Sequence, residues 1–199
     1  MNKNEIVQNI NYIKNVISSS TEYTNLSGKA SILSGMVAVS GYFATQYLAG
    51  PNVFSQQIDY FHPFVVVWLM VFLLAITLNI IFIKRKAKTT GQPAWSRLAR
   101  MIFDAIFPAI VVGALLTLYC INNNSPQWIP IVWMGMYGLG VWCASLFSVK
   151  AVRFLGASFI ITAMLCLFFL QQYAMLMLAI SFGGYHIVYG VWLYCKYGD

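Results

Sequence analysis

Six apolar stretches divide this chain, and every Lys and Arg lies on one side of the topology they define. Lys3, Lys14 and Lys29 precede the first stretch. Lys84, Arg85, Lys86, Lys88, Arg97 and Arg100 lie between the second and third, Lys150 and Arg153 between the fourth and fifth, and Lys196 after the sixth. The alternate connections hold none, and Asp59 is the only charge among them. Basic residues near membrane spans are retained in the cytoplasm, so both termini are expected there. The expected fold class is all-α: a polytopic membrane protein of six transmembrane helices, preceded by an N-terminal amphipathic helix.

The spans are expected at about 30–49, 63–83, 102–121, 128–149, 152–170 and 173–194. They make residues 30–199 a six-helix bundle and leave 1–29 as a cytoplasmic leader. About twenty residues, each rising about 1.5 Å, cross a hydrocarbon core of roughly 30 Å. Composition agrees: 9% of residues are charged and 60% hydrophobic, whereas soluble domains carry roughly 25% charged residues. The net charge of +7 sits at helix ends, at headgroup depth, so the expected partner is the bilayer and not nucleic acid. Pro108 falls inside the third span, where it should kink the helix or loosen one backbone bond.

In the leader, Ile6, Ile10, Ile13 and Ile17 recur at helical spacing opposite Asn4, Gln8, Asn11 and Asn15. That amphipathic face suits the inner leaflet, the underside of the bundle or a partner. Lys84–Ser96 is expected to be a loop, with its turn at Gly91, Gln92 and Pro93. Asp104 suits the N-terminal end of the third span.

Small residues mark where membrane helices approach closely. Ala30, Ser34, Ala38 and Gly41 form a stripe on the first span, Gly135, Gly138 and Gly140 lie on the fourth, and Gly183, Gly184 and Gly190 on the sixth. They can serve packing within the bundle, a partner protein or a second copy of the chain. Asn79, Thr77 and Thr117 are interhelical hydrogen-bond formers of the usual kind.

His186 stands near the middle of the sixth span, flanked by Tyr185 and Tyr189. A polar side chain at that depth must find a partner or face a cavity. Two readings follow: the three residues bind a small, largely apolar ligand, or His186 is hydrogen-bonded to a neighbouring helix. No cofactor is expected. His62 belongs at the outer boundary, which disfavours bis-histidine haem ligation, and no deep carboxylate completes a metal site. Cys120, Cys143, Cys166 and Cys195 lie on separate spans without metal spacing and are expected to pack as small apolar residues. The chain carries no phosphate-binding loop, nucleophile elbow, HExxH or paired carboxylates, so no catalytic residue is assigned.

Three segments carry a resemblance: Ser20–Gly28 (STEYTNLSG), Lys86–Arg97 (KAKTTGQPAWSR), and Ser181–Gly190 (SFGGYHIVYG) with the closing Lys196-Tyr-Gly198. Together they resemble a family of small six-helix proteins of the bacterial inner membrane. The resemblance runs over the whole chain and implies that fold and location, without an activity to transfer. Ala30, Ser34 and Ala38 are also similar to the small-residue spacing on the first helix of substrate-binding subunits of energy-coupling-factor transporters. The functional expectation is a multi-pass inner-membrane accessory or regulatory subunit. The alternative is a small-molecule binding or transport component with its pocket around His186.

Overall fold

The computed structural model describes residues 26–50, 53–55, 59, 62–91 and 93–197, with Glu5, Val7, Gln8, Ile10 and Tyr23 of the leader. Those first four are helical and exposed. The rest of the expected leader helix, including Ile6, Ile13 and Ile17, lies outside the described residues.

The described chain is all-α. Its long helices are α1 (Gly28–Ala49), α2 (Pro63–Thr90), α3 (Arg97–Asn122), α4 (Ile129–Ala144) and α5 (Lys150–Phe168). The last helix, α6, runs from Ala174–Ala179 through a π-helical segment, Ile180–Tyr185, into His186–Tyr197. Five stretches are long and apolar enough to cross a membrane; these are α2, α3, α4 with its flanking turns, α5 and α6. The first helix has the length, at 22 residues, but is interrupted by Ser, Gly and Thr.

The helix ends follow local chemistry. Ser27 and Ser96 cap α1 and α3 by accepting hydrogen bonds from the Ala30 and Ala99 amides, at 3.1 and 3.2 Å. His62 caps α2 through Nδ1, at 3.3 Å from the Phe64 nitrogen, with Pro63 in the first turn. Gly91 ends α2 in the left-handed conformation, φ 67°. The expected loop Lys84–Ser96 is therefore helical as far as Thr90. Lys, Arg and Ala are good helix formers, and the basic run extends α2 about two turns beyond the apolar stretch. The third helix starts at Arg97, which moves Asp104 past its first turn, and it continues through Pro108.

The helices form two antiparallel sets of three, α2–α1–α6 and α3–α4–α5, with α1 and α4 in the middle. Chain order predicts sequential neighbours. Instead α2 and α3 barely touch, and α1 packs on α6 from the far end of the chain. That pairing depends on glycine. A Cβ at Gly28 would lie 2.6 Å from the Gly190 carbonyl oxygen, and one at Gly35 would lie 2.6 Å from that of Gly183. In the other set, a Cβ at Gly138 would lie 2.9 Å from Phe159 Cβ, and one at Gly156 would lie 2.7 Å from the Trp142 nitrogen. Hydrogen bonds supplement the packing: Asn79 Nδ2 donates to Ser34 Oγ at 3.0 Å, and Trp133 Nε1 to Thr117 Oγ1 at 3.0 Å. Thr77 bonds only within its own helix, to the Leu73 carbonyl.

One end of the bundle gathers several chain segments. Tyr23 is buried there: its amide donates to the Phe147 carbonyl at 2.9 Å, and Ser148 Oγ donates to its carbonyl at 3.3 Å. Lys86 Nζ donates to the Leu26 carbonyl at 3.0 Å, and Lys29 Nζ sits 5.4 Å from the centre of the Tyr194 ring. Burial pushes the Tyr23 phenol above its ordinary pKa.

Candidate functional site

The glycine contacts between α1 and α6 bring the π-helical segment against the middle of the bundle. A π turn, bonded i to i+5, is rare and commonly marks a functional position. His186 follows it directly. Ser31 Oγ on α1 donates to the His186 carbonyl at 2.8 Å, which ties this turn to the first helix.

The imidazole lies among aromatic rings from three helices. Its centre is 5.5 Å from Tyr137, 5.6 Å from Phe159 and 6.1 Å from Phe182, the last in a stacked orientation. Nε2 and the Tyr137 hydroxyl are 2.8 Å apart. Donor and acceptor here follow from the tautomer. A phenol donating to Nε2 places the ring proton on Nδ1. Nδ1 is buried and makes no hydrogen bond of good geometry, although the Ser181 and Phe182 backbone groups approach it from the preceding turn. Trp68, packed edge-on against Phe182, also buries its Nε1 without a hydrogen bond.

Tyr185 is bonded to a different helix. Its hydroxyl shares a 2.7 Å hydrogen bond with Thr162 Oγ1 on α5 and its ring packs edge-on against Phe159. Tyr185 also lines a groove of about 800 Å³ between α5 and α6. From there the helices diverge. Tyr185, Tyr189, Ser158, Leu155 and Phe154 line the groove, with Lys150, Trp192 and Lys196 around its open end. The volume is within the range of small-molecule sites, about 300–1,000 Å³. Phe154 and Val188 on its flanks are 73% and 71% exposed, so the groove opens sideways.

The structure thus separates the three residues that the sequence grouped together. Tyr185 and Tyr189 line the groove, while His186 is turned into the aromatic cluster and does not line it. The residues that sequence reasoning missed are Tyr137, Phe159, Phe182, Thr162 and the pair Lys150 and Lys196. Tyr137 sits in the run Gly135-Met-Tyr-Gly-Leu-Gly140, where a lone phenol among glycines was the available signal.

Ala30, Ser34, Ala38 and Gly41 are buried within the chain. Gly183 and Gly190 contact α1, and Gly138 contacts α5. Gly135 and Gly184 have looser surroundings, with nothing nearer to an added Cβ than 3.7 and 3.9 Å. All four cysteines are free thiols, Cys120 and Cys166 buried, Cys143 and Cys195 exposed. Among the described residues, no three His, Cys, Asp or Glu side chains converge as metal ligands would.

Fold and site together define a helical bundle with a lateral groove and five stretches long and apolar enough to cross a membrane. No protein-family model, curated protein or solved structure matches the chain.

Proposed function

We propose that this protein is a binding component of the bacterial inner membrane that holds a small, largely apolar molecule in the groove between α5 and α6. The carrying observation is the groove itself: about 800 Å³, with Tyr185 and Tyr189 on its wall and Tyr185 tied to α5 by its hydrogen bond to Thr162. His186 acts through position. Its bond to Tyr137 and its place after the π turn orient the helix face that carries the two tyrosines. Both termini lie in the cytoplasm, so the open end of the groove, with Lys150 and Lys196, faces the inner leaflet.

The test is native mass spectrometry of the full chain extracted gently from its own membranes. A discrete adduct below about a kilodalton is expected. It should disappear when Ser158→Trp fills the groove, and equally with Val188→Trp on the opposite wall. An adduct that survives both, or no adduct on the unaltered chain, refutes the reading.

A second reading, an accessory subunit of a membrane assembly, draws support from α2 and α3. Only 6% of the apolar stretch of each is buried, against 50% in α4 and 39% in α5 and α6. The Ala30, Ser34 and Ala38 stripe is occupied inside the chain, so such a partner would meet α2 or α3. Cross-linking from Leu73 and Leu115, both exposed, tests this: a discrete heteromeric product supports it, and lipid adducts alone refute it.

A further inference from the structure

We infer that the occupant of the groove is an anionic phospholipid of the inner leaflet, with one acyl chain between α5 and α6 and its phosphate between Lys150 and Lys196. This rests on the groove-binding reading and names its ligand class. Three observations carry it. The first is length. Eight residues separate Lys150 from Ser158 and eleven separate Tyr185 from Lys196. At a rise of about 1.5 Å these stretches are roughly 12 and 16 Å long. One leaflet of a hydrocarbon core of about 30 Å is about 15 Å deep. The groove therefore reaches from the headgroup level to the bilayer midplane and ends there.

The second observation is charge. The groove wall is apolar along Phe154, Leu155 and Val188, and its lining cations, Lys150 and Lys196, come from the start of α5 and the end of α6. Basic pockets between helices on the cytoplasmic side are suited to acidic headgroups. Lys196 Nζ lies 4.7 Å from the centre of the Trp192 ring, which fixes the ammonium at the groove wall. The third is access. Exposed Phe154 and Val188 border a side opening, so a lipid can enter from the bilayer without crossing water. The Tyr185 hydroxyl is taken by Thr162. With its hydroxyl engaged, Tyr185 offers the groove its ring, which suits an acyl chain better than a polar group.

Full-length protein in micelles, offered phosphatidylglycerol and phosphatidylcholine in equal amounts, tests this by native mass spectrometry. Retention of phosphatidylglycerol over phosphatidylcholine is expected. The double variant Lys150→Gln, Lys196→Gln should weaken it by about thirtyfold, from two cationic contacts. The control Lys84→Gln, Lys88→Gln removes two charges from the same end of the bundle outside the groove and should change it less than threefold. Equal retention of both lipids overturns the inference, as does indifference to the groove lysines, an equal loss in the control, or preference for a free fatty acid. An adduct that Ser158→Trp removes but the lysine substitutions spare leaves the groove reading standing and rejects only the phospholipid. Absence of any adduct rejects both.

Discussion

Replacing Gly35 by alanine should force α1 away from α6. The added Cβ would lie 2.6 Å from the Gly183 carbonyl oxygen, 2.7 Å from Ile187 Cγ1 and 3.1 Å from the Ile187 nitrogen. Ordinary contact begins at 3.4 Å, so the helices must open by 3.4 − 2.6, or about 0.8 Å, at this crossing. Two of the three obstacles are backbone and cannot rotate aside. The displacement must then be shared along the seam, which loosens the similar approach of Gly28 to Gly190. Overpacking costs about 1–3 kcal/mol, and alanine returns about 0.8–1 kcal/mol of helix propensity. With backbone as the obstacle the upper part of the range applies, and the net loss is about 1–2 kcal/mol. Gly184→Ala is the matched control. Its Cβ would meet nothing nearer than 3.9 Å, so only the propensity term of up to about 1 kcal/mol remains, in the stabilising direction. Reversible unfolding by SDS titration in mixed micelles measures both. Equal midpoints for the two variants would show that the seam is not close-packed and would refute the reasoning.

Tyr137→Phe leaves His186 Nε2 buried without its 2.8 Å partner, and should cost about 1–3 kcal/mol. A double-mutant cycle with His186→Phe should give a coupling of about 0.6–1.7 kcal/mol, the range seen for hydrogen bonds within membranes; a coupling near zero means the contact carries no energy. Asn79→Ala removes the 3.0 Å bond to Ser34 and should lower stability by about 0.6 kcal/mol, whereas Thr77→Ala, which loses only a bond within its helix, should be close to neutral in the same titration. For topology, Asp59→Cys should react with an impermeant thiol reagent from outside intact cells and Trp95→Cys only after permeabilisation; the reverse pattern inverts the proposed orientation.

Much of the fold could be read from the sequence because lipid is the solvent. The α2 and α3 stretches are apolar all round, since few of their residues are fully buried by protein. Pairing was less legible. The stripe of Ala30, Ser34, Ala38 and Gly41 is visible in the sequence as a row of small residues, and these four are buried within the chain. Gly28 and Gly35, which make the closest approaches to another helix's backbone, are not marked by any local pattern because their partners lie about 150 residues away. The site was harder still. His186 and Tyr185 are adjacent in sequence and both pack on Phe159, but one is hydrogen-bonded to α4 and the other to α5. Nothing in the run Ser181-Phe-Gly-Gly announces a π turn, and the groove exists only because α5 and α6 diverge below the Thr162–Tyr185 bond. A divergence between helices is a property of the packed bundle, and no local pattern encodes it.

The helix least apolar in composition, α1, sits at the middle of its set, and this follows from what surrounds it. Lipid accepts only apolar surface, whereas a helix covered by other helices can carry small and hydroxylated residues whose hydrogen bonds are met inside the bundle. Ser31 reaches the His186 carbonyl, Ser34 receives Asn79, and Thr45 returns its proton to the Gly41 carbonyl at 2.8 Å. Its modest hydropathy is therefore compatible with crossing. Its contacts with α6 argue that it does cross. They run antiparallel from Gly28 beside Tyr194 to Val39 beside Gly183, eleven residues or about 16 Å along the axis. Lys29 at the start of α1 lies over Tyr194 near the end of α6, so the two helices begin and end at the same face. A chain with five crossings would separate those ends across the bilayer. The proposed sixth crossing by α1, a helix of sufficient length, brings them to one face.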